Sequence, residues 1–232
     1  MRIKTIKDIN LKRMRVFLRA DMNVPLENRT QASPLATPGL GAILDDFRIR
    51  ATLPTIDYII KNGGKVILAT HMGQPNAEKK TNFFDENLST KILATWLKNH
   101  GYEVDYEVDL LLAQKKSYQH PKHILLLENL RFFNGEKALD IEFAELLADL
   151  GDVYINDAFG LIHRPDTSIT ILPEQFIESN RAAGLLIEQE ITHLNKLKQT
   201  PEQPFIIVLG GNKIDTKIDL LNAYLEAEHM PS

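Results

Sequence analysis

Polar and cationic side chains follow four predicted strands of this chain at the points where the strands end. The strand ends carry, in chain order, Arg19, Asp21, Asn23 and Pro25, then His71, Gly73, Gln74 and Pro75, then Asn129 and Arg131, and then Asp157, Gly160, His163 and Arg164. Because parallel strands end at one edge of an α/β sheet, where such proteins bind ligands, we expect these side chains to converge. The group is rich in hydrogen-bond donors, and arginine grips carboxylate or phosphate through paired hydrogen bonds. The pattern therefore predicts a site for a small anion.

Each of these residues also has an ordinary structural interpretation. Asp21 could cap the following segment or pair with an arginine, and a single histidine such as His71 is more often structural than a ligand. Arg131 alone would be a surface cation. Arg48 opens a predicted helix, where a cation opposes the helix dipole, and this misfit favours a functional role. Only the joint placement of the residues favours the anion site.

Several other chemistries are excluded by the motifs that the chain lacks. It has no cysteine, which excludes disulfides, thiol catalysis and cysteine metal sites. It contains no Ser-His-Asp order, no H-E-x-x-H and no G-x-x-x-x-G-K-[ST]. Gly39 and Gly41 form an incomplete dinucleotide fingerprint, because no strand leads into them and the third glycine is missing. Anion binding thus fits the sequence better than hydrolysis.

Short apolar runs alternate with longer amphipathic stretches along the first three-quarters of the chain. Strands are predicted at 14–20, 65–70, 102–108, 123–128, 152–157 and 168–172, and helices at 48–62, 88–100 and 141–150. Nearly continuous apolar strands separated by helices are typical of a parallel sheet covered on both faces. We therefore predict a three-layer, doubly wound parallel α/β sheet of the Rossmann-like type.

The pattern changes after Pro173. One long helix is predicted from Asn180 to Gln199, followed by a strand at 205–211 and a helix at 214–225. A single strand and helix cannot bury their own apolar faces, so we expect them to dock on the first domain or to begin a truncated second α/β domain. The loop at 28–45 is rich in Pro, Gly, Ser and Thr.

Composition limits the partners. The chain has 232 residues with a formal net charge of −4, which argues against nucleic acid or an anionic membrane as a partner of the whole surface. We find no secretory signal and no apolar run long enough for a membrane helix, so we expect a cytoplasmic protein.

Six motifs resemble those of the phosphoglycerate kinase family, in order and over nearly the whole chain. They are RADMNVP (19–25), DDFRIRATLPTI (45–56), THMGQP (70–75), ENLRF (128–132), YINDAFGLIHR (154–164) and PFIIVLGGNKIDTKI (204–218). The corresponding segments of the family read R-x-D-x-N-V-P, S-H-L-G-R-P, E-N-L-R-F, N-D-A-F-G-x-x-H-R and L-G-G-A-K-V-x-D-K. Several independent motifs at matching positions make the resemblance specific.

The resemblance implies a glycolytic enzyme that transfers a phosphoryl group reversibly between ATP and 3-phosphoglycerate, giving 1,3-bisphosphoglycerate. It implies Mg²⁺ bound with ATP or ADP, a monomer, and hinge closure between an acid-binding domain at 1–178 and a nucleotide domain beginning at 201–232, joined by an interdomain helix at 179–200. It also implies residue roles. The acid would contact Asp21, Asn23, Arg48, His71, Arg131, Gly160 and Arg164, the nucleotide would contact Lys213 and Lys217, and the catalytic residues would be Arg48, Lys213 and Lys217.

The chain departs from the family pattern in four places. Gln74 replaces an arginine, Thr216 replaces an aspartate between the two lysines, Asn212 replaces an alanine, and the loop at 28–45 is longer than usual. The rest of the nucleotide domain is absent from the sequence. If this chain is the whole product, we expect weak or no kinase activity.

Three functional hypotheses stay open. The chain is an active kinase or a fragment of one, or it is a non-catalytic remnant that still binds a phosphorylated acid. The third, a GTPase-like switch, rests on Asn212-Lys213-Ile214-Asp215, which spells the guanine-recognition motif N-K-x-D. It is disfavoured because the chain lacks a Walker A loop.

Overall fold

A parallel β-sheet forms the centre of the computed structural model, which describes residues 3–27, 42–75, 84–119, 123–199 and Ile206. The chain divides into two compact units, Met1–Thr192 and His193–Ser232. The sheet belongs to the first unit. Only residues 193–199 and Ile206 are described in the second.

The sheet has six strands in the order β3-β4-β2-β1-β5-β6, and every neighbouring pair is parallel. The strands are β1 (Arg15–Ala20), β2 (Lys65–Ala69), β3 (Val104–Glu107), β4 (Ile124–Leu127), β5 (Val153–Asp157) and β6 (Arg181–Ala183). The strand order switches direction at β1: β2, β3 and β4 lie on one side of β1, and β5 and β6 lie on the other.

Helices cover both faces of the sheet. They are α1 (Phe47–Lys61), α2 (Lys91–Asn99), α3 (Leu110–Gln119), α4 (Ile141–Ala148), α5 (Thr167–Thr170) and α6 (Leu185–Gln199). Short 3-10 turns lie at Ile6–Asp8, Glu86–Leu88, Leu130–Phe132, Asn134–Glu136, Phe159–Leu161, Leu172–Gln175 and Glu178–Asn180. Among the described residues, no helix has the length and apolar character needed to cross a membrane.

Alternate residues of the four central strands, β4, β2, β1 and β5, enter two different cores. Leu18 and Leu68 pack with Ile56 of α1 and Leu93 of α2 in one cluster. Phe17, Ile67 and Leu125 lie in the other, with Ala113 of α3 and Leu147 of α4. Since successive side chains of a strand point to opposite faces, the nearly continuous apolar runs are buried on both sides. The predicted three-layer, doubly wound α/β class is confirmed.

The strand predicted at 168–172 is wrong. Residues Thr167–Thr170 form α5, and a 3-10 turn follows at Leu172–Gln175. The polar side chains explain the difference. Thr167 donates to the Gly135 carbonyl at 2.6 Å, and Ser168 donates to Glu136 Oε1 at 2.7 Å. These bonds hold the segment against the turn that contains Glu136.

The single helix predicted from Asn180 to Gln199 is wrong at its start. Residues 181–183 form β6, which pairs with β5 in the register Tyr154↔Arg181 to Asn156↔Ala183, and α6 begins only at Leu185. The open edge of β5 supplies hydrogen bonds that outweigh the helix propensity of Arg-Ala-Ala. Helix α3 was not predicted.

Other predictions lie outside the described residues. They concern most of the 28–45 loop, the strand at 205–211, the helix at 214–225 and therefore the truncated second domain. The domain boundaries at 178 and 200 stay predictions.

Candidate functional site

The register of the sheet places the predicted site residues at one edge. Arg19 pairs with Ala69 and Ala20 with Asp157, so the segments that begin at Asp21, Thr70 and Ala158 leave three adjacent strands side by side. This is the carboxyl edge of the central strands, where α/β sheets bind ligands.

Asp21 is the meeting point of three elements. Its buried carboxylate pairs with Nη1 of Arg48, which is the second residue of α1. The Arg48 side chain is 51% exposed, so much of its guanidinium remains open to a ligand. Gly160, in the turn after β5, lies against the same carboxylate, because a Cβ atom there would be 2.9 Å from Asp21 Oδ2. The close approach explains a glycine at this position.

Gly73 connects Asn23 to Arg131. Its N–H donates to Asn23 Oδ1 at 2.8 Å, and its carbonyl accepts from Arg131 Nη1 at 2.6 Å. Gly73 has a φ of +56°, and a Cβ atom there would also collide with Leu88 at 2.5 Å. The backbone turn that this glycine allows after β2 therefore fixes residues that follow β1 and β4.

His71 is a neutral imidazole at physiological pH. Burial, together with the smaller effect of the neighbouring cations Arg19, Arg131 and Arg164, lowers its pKa to about 2. Desolvation and like charge both disfavour the protonated ring. His71 can therefore contact an anion only through an N–H of the neutral ring, not as a cation.

Several buried nitrogens at this edge have no hydrogen-bond partner among the described residues. They are Arg131 Nε and Nη2, Arg164 Nε and His71 Nδ1. A buried donor without a partner costs about 1–3 kcal/mol, so native structures rarely leave one without reason. Oxygens of an anionic ligand would provide the missing acceptors.

The structure thus gathers all the described residues that were predicted to bind the acid. We call them the donor cluster: Asp21, Asn23, Arg48, His71, Arg131, Gly160 and Arg164. Five of them are joined by the contacts through Asp21 and Gly73, and His71 and Arg164 by their electrostatic interaction. Their roles as ligands stay predictions.

Further charged residues lie next to the donor cluster. Arg19 is fully buried; it donates to Ser168 Oγ at 2.8 Å and lies 3.6 Å from Glu136 Oε1. Burial raises the pKa of Glu136. Lys137 Nζ contacts Asp166 Oδ1 at 2.5 Å. Sequence reasoning assigned no role to Glu136, Lys137 or Asp166, because they lie in turns that do not directly follow a strand.

Two predicted catalytic residues, Lys213 and Lys217, lie outside the described residues. Gln74, which stands where the similar family has arginine, is exposed beside Gly73. Within the described ranges, no group of three or more His, Cys, Asp or Glu side chains could hold a metal ion.

Comparison with known proteins gives one consistent result. The sequence model of the family described as phosphoglycerate kinase matches residues 6–229. The chain is 36% identical over 97% of its length to a phosphoglycerate kinase of Bdellovibrio bacteriovorus, of which it covers 52%. It is 38% identical over 95% of its length to one of Nitratiruptor sp., of which it also covers 52%.

Solved structures agree. Phosphoglycerate kinase from Coxiella burnetii matches 97% of this chain with a TM-score of 0.77 at 29% identity, and the match covers 52% of that protein. The enzyme from Pyrococcus horikoshii matches with a TM-score of 0.74 at 28% identity, with 97% of this chain and 53% of that one covered. The chain spans about half the length of the relatives it matches.

Proposed function

Because this chain belongs to the phosphoglycerate kinase family, we propose that it contributes the acid-binding part of a glycolytic kinase. The proposed reaction is reversible transfer of a phosphoryl group between ATP and 3-phosphoglycerate, which gives 1,3-bisphosphoglycerate. The observation that carries the proposal is the donor cluster, in which buried arginine nitrogens at one sheet edge find no acceptor in the described part of the chain. A three-carbon acid with a phosphate and a carboxylate would supply those acceptors.

The chemistry suits a site without a general base. An oxygen of the substrate carboxylate attacks the γ-phosphorus of ATP, the new O–P bond forms, and the bond to the leaving ADP breaks. The carboxylate is ionised at neutral pH, so no side chain needs to remove a proton. Phosphoryl transfer depends on positioning and on stabilisation of charge, which arginine donors provide. We propose that Arg48, which is half exposed and paired with Asp21, stabilises the charge on the phosphoryl group during transfer.

The nucleotide side of the reaction is proposed from the resemblance. Lys213 and Lys217 would approach the ATP phosphates, and Mg²⁺ would arrive bound to the nucleotide. Since the described residues include no metal cluster, we assign none of them to the ion. The lack of cysteine fits a reducing compartment, and we propose that the protein acts in the cytoplasm as a monomer.

Calorimetry tests the proposal directly. The 232-residue chain is titrated separately with 3-phosphoglycerate and with ADP, and ADP release is followed with 3-phosphoglycerate and Mg-ATP. We expect binding of the acid. Turnover together with nucleotide binding would identify a working kinase, whereas binding of the acid alone would identify a non-catalytic acid-binding protein. No binding of 3-phosphoglycerate would refute the proposed function.

A matched pair of variants locates the binding site. Arg131→Lys removes the paired donors from the donor cluster, and we expect the affinity for 3-phosphoglycerate to fall roughly tenfold, because lysine cannot make a bidentate contact. Arg15→Lys makes the same change at the opposite edge, where Arg15 pairs with Asp152. The control should leave the affinity unchanged. Equal losses in both variants would place the acid elsewhere.

A further inference from the structure

Asp166 brings a buried negative charge to the donor cluster. Its side chain is 1% exposed, and Oδ1 contacts Lys137 Nζ at 2.5 Å. Oδ2 has no hydrogen-bond partner among the described residues and lies 4.0 Å from Arg131 Nη2. That nitrogen also has no hydrogen-bond partner within the described ranges. A buried donor and a buried acceptor therefore face each other without completing a hydrogen bond.

Helix capping does not explain this carboxylate. Asp166 occupies the position before α5, where aspartate commonly accepts a hydrogen bond from the first amides of a helix. Here the Asp166 side chain accepts no hydrogen bond from these amides. The amides of Ile169 and Thr170 donate to its main-chain carbonyl instead. The carboxylate is directed towards the cations Lys137 and Arg131.

One nitrogen of the Arg131 guanidinium, Nη2, faces the Asp166 carboxylate and is also available to a ligand. Nη1 is committed to the Gly73 carbonyl, so Nε and Nη2 form the remaining fork for a bidentate contact. Nη2 is the atom nearest Asp166 Oδ2. An anion that takes this fork must share it with a fixed carboxylate and must overcome the repulsion of a like charge.

We propose that Asp166 is an internal competitor of the anionic ligand, and that it limits the affinity of the donor cluster by holding a fixed negative charge 4.0 Å from Arg131 Nη2. The inference rests on the proposed function, since it concerns the same anion site. Limiting the affinity for the bound acid has a catalytic use, because binding substrate and transition state equally tightly does not raise kcat. Asp166 would also compensate the buried charge of Arg131 while the site is empty.

The test compares anion affinity in the full chain and in Asp166→Asn, which keeps the shape and removes the charge. Calorimetry is performed with inorganic phosphate and with 3-phosphoglycerate. We expect both to bind roughly tenfold more tightly to the variant, a change equal to about one charge-assisted hydrogen bond. The variant should also unfold at a lower temperature. Opposite signs for stability and affinity separate a competitor from a residue that only supports the fold.

Two controls complete the design. Asp152→Asn removes the same charge at the opposite edge, where Asp152 pairs with Arg15, and should not change phosphate affinity. Should Asp166→Asn fail to fold, it is combined with Lys137→Gln, so that no lysine is left unpaired. The double variant should then bind phosphate more tightly than Lys137→Gln alone.

Unchanged or weaker anion binding in these Asp166 variants would overturn the proposal, as would a complete lack of anion binding in all of the proteins. The proposed function fails differently. A chain that binds inorganic phosphate as well as it binds 3-phosphoglycerate would not be an acid-binding kinase half. The phosphate comparison would still test the role of Asp166.

Discussion

Arg48 and Arg50 provide a controlled comparison at the residue scale. They lie two positions apart on α1, their side chains are 51% and 57% exposed, and each pairs with one aspartate. Only Arg48 pairs with a residue of the donor cluster. We predict that Arg48→Met weakens 3-phosphoglycerate binding roughly tenfold through loss of a charge-assisted contact. Calorimetry measures the change.

Stability should differ between these two variants. Exposed ion pairs contribute about 0–1 kcal/mol, so Arg50→Met should keep nearly the wild-type free energy of unfolding in urea. Arg48→Met leaves the buried Asp21 carboxylate without its partner and should lower that free energy by about 1–3 kcal/mol. Arg50→Met should also keep the wild-type affinity. If it weakened binding as much as Arg48→Met does, general surface charge would explain the effect and the assignment of Arg48 would be wrong.

At the scale of elements, the start of α6 is fixed by β5 and α1. Asp157, the last residue of β5, accepts hydrogen bonds through Oδ1 from the amides of Leu186 at 2.9 Å and Ile187 at 3.3 Å. The Thr55 hydroxyl of α1 accepts from the Leu185 amide at 3.1 Å. Three amides that a helix start leaves without partners are thereby satisfied.

Gly184 makes this cap sterically possible. A Cβ atom at this position would lie 2.2 Å from Asp157 Oδ1, well inside van der Waals contact. We predict that Gly184→Ala lowers the free energy of unfolding by about 1–3 kcal/mol, measured by urea denaturation. In an Asp157→Ala background the carboxylate is gone and only the contact with the Cβ atom of residue 157, at 2.8 Å, remains, so the same substitution should cost less. Equal costs in both backgrounds would show that the close contact is not the cause.

The sequence predicted the central elements well, because apolar runs of the right length signal buried strands. It failed where tertiary contacts decide. Residues 181–183 become β6 because β5 offers a free edge. Helix α3 carried a signal that could have been used, since Asp109 precedes Leu-Leu-Leu-Ala and its carboxylate accepts from the amides of Leu111 and Leu112.

The site was predictable to the extent that its residues follow strands. Asp21 and His71 are placed by the ends of β1 and β2, so their convergence is a consequence of parallel topology. Asp166 and Glu136 reach the same region from turns, and nothing in their local sequence specifies where those turns fold. Such support residues become visible only in three dimensions.

At the scale of the whole molecule, two buried groups give folding stability opposite responses to pH. Burial holds the pKa of His71 at about 2 in the folded chain. At pH values below the ordinary pKa of histidine, the unfolded chain therefore binds a proton at His71 and the folded chain does not. Acidification therefore destabilises the fold through His71. Burial raises the pKa of Asp157 to about 6, against the hydrogen bonds from the amides of Leu186 and Ile187. The folded chain then takes up this proton first, and acidification stabilises it.

The histidine should dominate between pH 7.5 and pH 5. We take the unfolded pKa of histidine as about 6.5. On acidification over this interval, His71 then lowers the free energy of unfolding by about 2 kcal/mol, while Asp157 raises it by about 1 kcal/mol. Urea unfolding at both pH values measures the changes. We predict that His71→Gln gains stability relative to the wild type on acidification and that Asp157→Asn loses it.

The two variants also serve as controls for each other, because both replace a buried titratable group with an amide and their predicted differences have opposite signs. General loosening of the fold would shift both in the same direction. Loss of the predicted difference in one variant would mean that His71 is charged, or that Asp157 is ionised without penalty, in the folded chain. The neutral imidazole assigned to the donor cluster depends on the same measurement, since a His71 that titrates near pH 6.5 in the folded chain would contact the acid as a cation below that pH.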